Sequence, residues 1–496
     1  MNKLSSRKKV VVIGAGFGGL SVAALLAKDG HQVTVLEKNP TAGGRGRVWV
    51  KDGFTFDLGP SWYTMPEVFD RFFKLFDKKT ADYYKLKRLD PSYRIFFGRN
   101  DTLDISTELK KNIALFESME AGGGKKLKDY LKQAEYQYTQ AMSSFIYKDY
   151  PSLMSMLDLK LVAQINKLHL LEDMDSFTKR WFKNDRLRKI LLYTLVFLGG
   201  APKKTPALYA LMSHIDFNLG IWYPMGGLGK VVTSLQQLAE EEGATFSFNQ
   251  TVKSIEVNSG VATQVLTQNK KYDADIVVTN ADYAHAETKL LEEKWQSYPK
   301  SYWDKRTVAP SAFLIYLGLN KKVKNLKHHS LFFHHDWVEH FNQIFEEPQW
   351  PDKPSYYVCC PSKTDPIMAP KGKENIFLLV PIAAGLKDTP SIREKYYRKI
   401  MDDFQTTLGQ DIEDDIILKR IYSLKDFEKD YNAFKGTALG LTHTMFQTAY
   451  FRPHHRSKKV KNLYYTGQFT HPGIGVPITL ISAQIVREII KKTHND

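Results

Sequence analysis

The feature that most constrains this chain is a glycine-rich turn near its start, Gly14-Ala15-Gly16-Phe17-Gly18-Gly19. An apolar run that reads as a buried strand, Lys9–Ile13, precedes it, and a helical pattern over residues 18–29 follows it. In a G-x-G-x-x-G turn, Gly14 permits the tight bend, Gly16 lets backbone N–H groups approach a pyrophosphate, and Gly19 allows close helix–strand packing. The order of strand, turn and helix therefore predicts a dinucleotide-binding βαβ unit, with the phosphates at the positive end of the helix.

An acidic residue ends the next predicted strand, residues 32–37. Glu37 lies about 20 residues beyond the glycines, where a carboxylate accepts the ribose hydroxyls of a bound dinucleotide. Lys38 follows it directly, and we assign it to the same site. A second glycine cluster carries Gly44 and Arg45, and the rigid guanidinium fork of Arg45 suits a phosphate. The alternative for Arg45 is a surface arginine in a loop.

The run that begins at Glu37, E-K-N-P-T-A-G-G-R, resembles a flavoprotein family of amine oxidases, Rab GDP-dissociation inhibitors and carotenoid desaturases. The resemblance implies that Gly44 and Arg45 run beside the diphosphate and ribityl chain of FAD. A further stretch, D-L-G-P-S from Asp57, is similar to a segment near the flavin in bacterial phytoene-desaturase-type enzymes. It implies that three residues lie near the flavin, namely Gly59, Pro60 and Ser61. The alternative for this stretch is an ordinary turn after a strand.

The C-terminal part carries the most specific motif, L-Y-Y-T-G-Q-F-T-H-P-G-I-G-V-P from Leu463. It resembles the carotenoid desaturase signature N-L-Y-x-x-G-x-x-T-H-P-G-x-G-x-P, which implies that Gly467 meets the diphosphate–ribityl part of FAD. Amine oxidases carry an acid where Gln468 stands, which argues against that branch of the family. The resemblance also places a turn at the isoalloxazine ring, to which we assign Gly473, Gly475, Val476 and Pro477. Val252 matches a strand that contacts the adenine.

These motifs predict an α/β protein with a Rossmann-like FAD-binding domain of the GR2-type flavoprotein fold. The FAD-binding domain is expected to be discontinuous, over residues 1–65, 223–300 and 455–496. Residues 66–150 and 301–454 are expected to form a substrate-binding domain with a mixed sheet. Residues 151–222 are expected to be helical and to include a region that contacts a membrane.

The net charge of +16 suggests a polyanionic partner, although a lysine-rich solvated surface explains it equally well. No nucleic-acid module is evident, so an anionic lipid surface is the expected partner. Residues 148–204 mix apolar runs, 152–159 and 187–198, with basic residues. This pattern favours a surface-lying helical patch on lipid, or a helical domain that packs on itself with a solvated basic face. We expect a cytoplasmic protein, peripheral to the inner face of the cell membrane, because the longest apolar run is too short to span a bilayer.

The resemblance implies an FAD-dependent carotenoid desaturase whose substrate comes from the membrane. The D-L-G-P-S stretch favours phytoene, and the alternative substrate is a 1-hydroxycarotenoid desaturated at its 3,4 bond. Retinol-saturase-like chemistry, amine oxidation and a non-catalytic isoprenoid carrier of the GDP-dissociation-inhibitor type are further alternatives. The electron acceptor is expected to be oxygen or a quinone.

No catalytic residue is assigned from the sequence. Three carboxylates are candidate acids or bases, although nothing in the sequence distinguishes them from ordinary carboxylates, namely Asp149, Asp175 and Asp216. No metal site is expected, because neighbours in the histidine pairs at 328–329, 334–335 and 454–455 should point in opposite directions. The adjacent residues Cys359 and Cys360 should also point apart on a strand, so that no disulfide joins them.

Overall fold

The first layer of the molecule is a five-stranded parallel sheet. It appears in the computed structural model of the chain, which describes residues 7–156 and 166–494. The strands follow in the order Leu463–Tyr465, Ile276–Thr279, Lys9–Ile13, Gln32–Leu36 and Thr245–Ser247. All five lie in the segments 1–65, 223–300 and 455–496. The two ends of the chain therefore meet in one sheet, and the predicted Rossmann-like fold is confirmed.

Both faces of this sheet are covered, which explains why its strands read as nearly continuous apolar runs. Val10 and Val12 face three helices that pack together, Phe17–Lys28, Leu228–Glu241 and Val476–His494. Val11 and Ile13 face the opposite way. On that side lie the helix Tyr283–Leu290 and an antiparallel sheet of three strands, Val252–Asn258, Val261–Thr267 and Lys271–Asp273.

The second layer is a seven-stranded mixed sheet, as the sequence predicts. Its strands follow in the order Ile416–Tyr422, Ser311–Leu319, Glu374–Ile382, Tyr356–Cys359, His329–Phe332, Tyr93–Gly98 and Asp101–Ile105. Only the pair formed by His329–Phe332 and Tyr93–Gly98 is parallel. Two short antiparallel pairs join the layers, Val48–Lys51 with Phe54–Asp57 and Leu86–Arg88 with Trp222–Pro224.

Helices fill the space beside the mixed sheet and between the two layers. The remaining α-helices among the described residues are Pro66–Lys74, Leu109–Met119, Gly123–Gln140, Met174–Trp181, Asp185–Leu192, Leu211–His214, Lys300–Asp304, Trp337–Phe345, Pro390–Leu408 and Leu424–Tyr431. Two turns of π-helix, Ala141–Phe145 and Ile215–Leu219, and the 3-10 helix Tyr193–Leu198 add to them. Across the described residues, none of the helices combines the length and the apolar character needed to cross a membrane.

The apolar run 187–198 lies inside the protein, with Leu187, Ile190 and Leu195 fully buried. Of the two interpretations of residues 148–204, the helical domain that packs on itself therefore agrees with the structure of this run. Several of its basic neighbours form ion pairs with carboxylates, namely Lys179, Arg180, Arg186, Arg188 and Lys204. The last three residues of the other apolar run, 157–159, lie outside the described residues.

The run of three glycines at 122–124 predicts a loop, but only part of it lies outside a helix. Gly122 has a left-handed backbone (φ +75°), and the helix Gly123–Gln140 begins directly after it. A Cβ atom on Gly123 would lie 2.3 Å from the carbonyl oxygen of Phe116. The glycine is therefore needed where this helix packs closely against the preceding one, Leu109–Met119, and not for a flexible loop.

Candidate active site

The glycine turns from the two ends of the chain meet at the carboxyl edge of the parallel sheet. A Cβ atom on Gly18 would lie 3.4 Å from the Cα atom of Gly467. A cleft of about 150 Å³ opens there. It is lined by eight of the predicted site residues, namely Gly14, Gly16, Glu37, Lys38, Gly44, Arg45, Val252 and Gly467.

Asn280 explains why glycine is needed at several positions of this cleft. Its amide donates a hydrogen bond to the carbonyl of Thr466 at 2.9 Å, so the side chain lies between the two turns. A Cβ atom would approach this amide to 2.7 Å from Gly16, 2.8 Å from Gly18 and 2.7 Å from Gly467. The backbone thus reaches the cleft without side chains in between, as a bound diphosphate requires. The sequence signal for Asn280 was its place in V-V-T-N-A-D at the end of a strand.

Gly19 lies outside the cleft lining. A Cβ atom on it would lie 2.0 Å from the carbonyl oxygen of Gly14. This contact fits the packing role expected for the third glycine of the turn.

Glu37 is buried at the end of its strand and lines the cleft. Its Oε2 atom accepts the N–H of Ala15 at 2.9 Å, and its Oε1 atom accepts the N–H of Asn39 at 2.9 Å. Carboxylate oxygens accept more than one hydrogen bond, so these contacts leave capacity for ribose hydroxyls. Lys38 also lines the cleft, but its ammonium already donates a hydrogen bond to the carbonyl of Lys429 at 2.6 Å.

Arg45 is a partly buried cation that lines the cleft. Its pKa is lowered by burial, an effect that the carboxylate of Asp282 opposes. Its Nη2 atom donates to the carbonyl of Thr437 at 3.4 Å, and its guanidinium lies over the ring of Tyr431. Its Nε atom has no partner among the described residues. A partly buried cation whose buried Nε donor is unused fits an anionic ligand such as a diphosphate. These residues therefore fit FAD, and Arg45 is not a surface residue.

A second, larger cavity of about 540 Å³ adjoins the cleft. Four residues line both spaces, namely Phe17, Arg45, Gln468 and Thr479. The wall of the cavity consists mainly of aliphatic and aromatic side chains. Six further predicted site residues border it, namely Gly59, Pro60, Ser61, Gly475, Val476 and Pro477. The cavity therefore adjoins the turn that the sequence motif assigns to the flavin ring.

One of the predicted flavin-contacting segments, the D-L-G-P-S stretch, also holds the fold together. The carboxylate of Asp57 accepts the N–H groups of Leu228 and Gly229, each at 2.8 Å, at the start of a helix. A Cβ atom on Gly59 would lie 2.2 Å from the carbonyl oxygen of Arg45. The D-L-G-P-S stretch is thus fixed against both the cofactor loop and the helix Leu228–Glu241.

Gly473 does not line either space, because it packs against a histidine that the sequence reasoning missed. It has a left-handed backbone (φ +125°), and a Cβ atom would lie 2.3 Å from the ring of His443. The Nε2 atom of His443 accepts the N–H of Ile474 at 3.2 Å, and its Nδ1 atom lies 2.6 Å from the hydroxyl of Tyr209. Burial holds the pKa of His443 well below its ordinary value, so the ring is neutral and accepts through Nε2. No motif marked this residue in the sequence.

One of the three candidate carboxylates is deeply buried. Asp216 accepts a hydrogen bond from the hydroxyl of Tyr93 at 2.7 Å, and burial raises its pKa to about 7. The ring of Tyr93 lies 5.1 Å from that of Tyr193, which lines the apolar cavity. In contrast, Asp175 forms an ion pair with Lys179 at 2.7 Å. Along this path, the aromatic side chains of Tyr93 and Tyr193 separate Asp216 from the cavity.

The expectation that paired histidines point apart is wrong for His334 and His335. Their Nε2 atoms lie 3.0 and 2.9 Å from the same oxygen of Asp403. Burial alone would raise the pKa of Asp403, but the hydrogen bonds with the two histidines hold it below its ordinary value. The pair follows the strand His329–Phe332, so strand alternation does not apply to it.

His328, His329 and Cys359 also bring ligand-type atoms within 4.8 Å of one another. One ring nitrogen of each histidine has a partner, since Nδ1 of His328 lies 2.7 Å from the hydroxyl of Thr364 and Nδ1 of His329 lies 2.6 Å from the hydroxyl of Tyr357. The Nε2 atoms of both rings are buried without a partner among the described residues. Cys359 and Cys360 are buried free thiols that belong to different core clusters, so the expectation that they point apart is confirmed.

The parallel sheet and the cleft at its carboxyl edge define a dinucleotide-binding flavoprotein. The model of the family described as "Flavin containing amine oxidoreductase" matches residues 17–486. The chain is 47% identical over 486 residues to a carotenoid 3,4-desaturase of Haloarcula japonica, covering 98% of each. It is 33% identical over 495 residues to a zeta-carotene-forming phytoene desaturase of Myxococcus xanthus, covering 98% of this chain and 95% of the relative. The chain belongs to the flavin containing amine oxidoreductase family and, within it, groups with the carotenoid desaturases.

The fold is also found in solved structures. An oxidoreductase from Methanosarcina mazei matches with a TM-score of 0.63 and 17% identity, over 97% of this chain and 100% of that one. The predictions of an FAD-dependent oxidoreductase and of the flavoprotein fold are therefore confirmed.

Proposed function

We propose that this protein desaturates a carotenoid, with FAD in the cleft and the polyene in the adjoining cavity. The observation that carries the proposal is the contact between the two spaces at Arg45 and Gln468. FAD supplies the acceptor for a hydride that leaves a carbon atom of the substrate. The chain supplies an apolar wall that orients the polyene and excludes water from the reacting carbon atoms. The desaturase names of its relatives also favour an enzyme over an isoprenoid carrier.

The two candidate reactions differ in the substrate and in the bond that is desaturated. The D-L-G-P-S stretch favoured phytoene, whereas the relative at 47% identity is named a carotenoid 3,4-desaturase. We therefore propose 3,4-desaturation of a 1-hydroxycarotenoid as the first reaction to test, with phytoene desaturation as the second candidate.

The experiment supplies each candidate substrate in liposomes to the purified, FAD-loaded protein and separates the pigments by HPLC. A product with one more double bond from a 1-hydroxycarotenoid supports 3,4-desaturation, and products from phytoene support the second candidate. Protein that holds FAD but converts neither substrate contradicts the proposal. Parallel reactions with oxygen, and with a quinone under anaerobic conditions, test the two predicted electron acceptors.

We also propose that the substrate enters from a lipid surface. Four strongly exposed apolar residues lie close in sequence to residues of the cavity wall, namely Met154, Leu171, Val338 and Phe446. Exposed apolar side chains in segments that also contribute to the wall of an apolar cavity suit contact with lipid. Because many basic residues nearby are paired with carboxylates, this proposal rests more on apolar contact than on charge.

A further inference from the structure

Arg452 is a completely buried cation that the reaction outlined above does not use. Among the described residues, no carboxylate lies within ion-pair distance of its guanidinium. It is held instead by backbone carbonyls at 2.7–3.4 Å, those of Leu441, Thr442, Gln447, Gln468, Phe469 and Thr470. A buried charge is costly unless it is hydrogen-bonded. Because the carbonyl groups around Arg452 carry no net charge, they do not neutralise the positive charge of its guanidinium.

The acceptors of Arg452 belong to two segments that meet beside the cofactor cleft. One segment is 441–447, and the other is 468–470, between the last strand of the parallel sheet and the glycine–proline turn. Gln468 lines both spaces, and its carbonyl receives the shortest of these hydrogen bonds, 2.7 Å from Nη2. A Cβ atom on Gly473 would lie 3.4 Å from the Cζ atom of Arg452. The guanidinium therefore lies directly beneath the turn that the sequence motif places at the flavin ring.

We propose that Arg452 is a positioning residue for the flavin, which fixes this turn and provides a permanent positive charge that favours the reduced, anionic cofactor. Hydride transfer adds negative charge to the flavin ring, and a preorganised cation stabilises such charge most effectively in a site that excludes water. This inference rests on FAD in the cleft and not on the identity of the carotenoid, so the two proposals fail independently.

Arg452 is charged at neutral pH, whereas the titratable side chains that face it are neutral. Burial lowers its pKa to about 10, so it stays protonated at neutral pH. The titratable groups that face it are Tyr209, Tyr302, His443 and His471. Burial lowers the pKa of His471 to about 3 and raises the pKa values of Tyr209 and Tyr302, so these rings are neutral.

The test is the two-electron reduction potential of bound FAD, measured anaerobically against a redox dye without any carotenoid. In Arg452→Met we expect the equilibrium constant for reduction to fall at least tenfold, which lowers the potential by about 30 mV. Arg452→Lys keeps the charge and should lie closer to the unchanged protein. The matched control is Arg456→Met, because Arg456 is an exposed arginine four positions away that binds the carbonyl of Lys461. An unchanged potential in Arg452→Met would overturn the inference.

A second measurement needs no variant, should Arg452→Met fail to fold. A reduced flavin kept anionic takes up one proton per two electrons, so its potential falls by about 30 mV per pH unit. We expect this slope for the unchanged protein between acidic and neutral pH. A slope of about twice that value, which indicates uptake of two protons, would contradict a fixed positive charge at the flavin.

Discussion

The carboxylate of Glu37 accepts the backbone N–H of Ala15 at 2.9 Å, which ties the end of the second strand to the glycine turn 22 residues earlier. The same side chain lines the cofactor cleft. One charged group therefore shapes the diphosphate turn and faces the place expected for the ribose.

Replacement Glu37→Gln should weaken FAD binding. The amide keeps one oxygen acceptor but loses the charge and introduces a donor opposite the N–H of Ala15. Hydrogen bonds to charged groups contribute about 1.5–3 kcal/mol, so the dissociation constant should rise at least about tenfold. Titration of the apoprotein with FAD by flavin fluorescence measures this change. The control is Glu240→Gln, at an exposed position of the helix Leu228–Glu241, and equal affinity in both variants would contradict the role of Glu37.

Gly16→Ala should reduce the amount of FAD that stays bound during purification. Gly16 has an ordinary backbone angle (φ −77°), so the added methyl group causes no strain there. The methyl group would instead lie 2.7 Å from the Asn280 amide oxygen, in the space between the two glycine turns. The ratio of flavin absorbance to protein absorbance measures the loss. Gly98→Ala is the control, since the nearest atom to its Cβ would be 3.7 Å away, and full yellow colour in Gly16→Ala would remove the steric explanation.

The parts of the fold that the sequence predicts best are those with local signals. The strand Lys9–Ile13 has the predicted bounds, because it is a short apolar run ended by a glycine. The irregular helical turns Tyr193–Leu198 and Ile215–Leu219 carry no such signal. Their shape depends on packing against distant strands and on the wall of the cavity.

The same contrast applies to the candidate site. The glycines and Glu37 could be found because a diphosphate requires fixed spacing along one βαβ unit. Arg452 and His443 could not be found in this way. Arg452 binds backbone carbonyls, and His443 binds a backbone N–H and the hydroxyl of Tyr209, all from separate segments of the chain. Such partners leave no pattern of residue types, so only the three-dimensional structure brings them together.

Asp216→Asn should change how stability depends on pH. Burial raises the pKa of Asp216 from 3.8 to about 7, so between these values the folded protein holds a proton that the unfolded chain releases. Stability from this group is therefore full below about pH 4 and is lost as the pH rises towards 7, by at most about 1.4 kcal/mol per pH unit.

The measurement for Asp216 is the difference in free energy of unfolding between Asp216→Asn and the unchanged protein, from urea titrations at several pH values. We expect the variant to gain relative stability steadily from about pH 4 to about pH 7. Other titrating groups, including the buried histidines, contribute to both proteins and cancel in the difference. A difference that stays constant over this range would show that Asp216 does not titrate there.

Phe446→Asp should reduce binding to lipid vesicles. The side chain of Phe446 is 68% exposed and lies two residues before Thr448 in the cavity wall. A carboxylate there removes apolar contact and repels anionic lipid. Sedimentation with vesicles that contain phosphatidylglycerol, at low and high salt, measures the bound fraction. Val50→Asp is the control, because Val50 is 64% exposed on the strand Val48–Lys51 and does not line the cavity. Equal loss in both variants would contradict a docking role for the region around Phe446.

Val196→Trp should separate substrate binding from cofactor binding. Val196 is half-buried in the 3-10 helix Tyr193–Leu198 and lines the apolar cavity but not the cofactor cleft. An indole added to a cavity of about 540 Å³ narrows the path of a long polyene and leaves the glycine turns unchanged. We expect unaltered FAD content and at least about a tenfold loss of carotenoid conversion, since a misplaced substrate loses the orientation that the reaction needs.

Pigment analysis by HPLC and flavin absorbance measure the two quantities on the same preparation of Val196→Trp. The control is Val261→Trp on the exposed three-stranded sheet, where Val261 is 37% exposed and both quantities should stay unchanged. Loss of FAD together with activity in Val196→Trp would indicate a folding defect. In that case Val196→Ala, which enlarges the cavity, replaces it as the test variant. If both Val196 variants convert the carotenoid at the full rate, the polyene does not pass this part of the wall and the assignment of the cavity to the substrate is wrong.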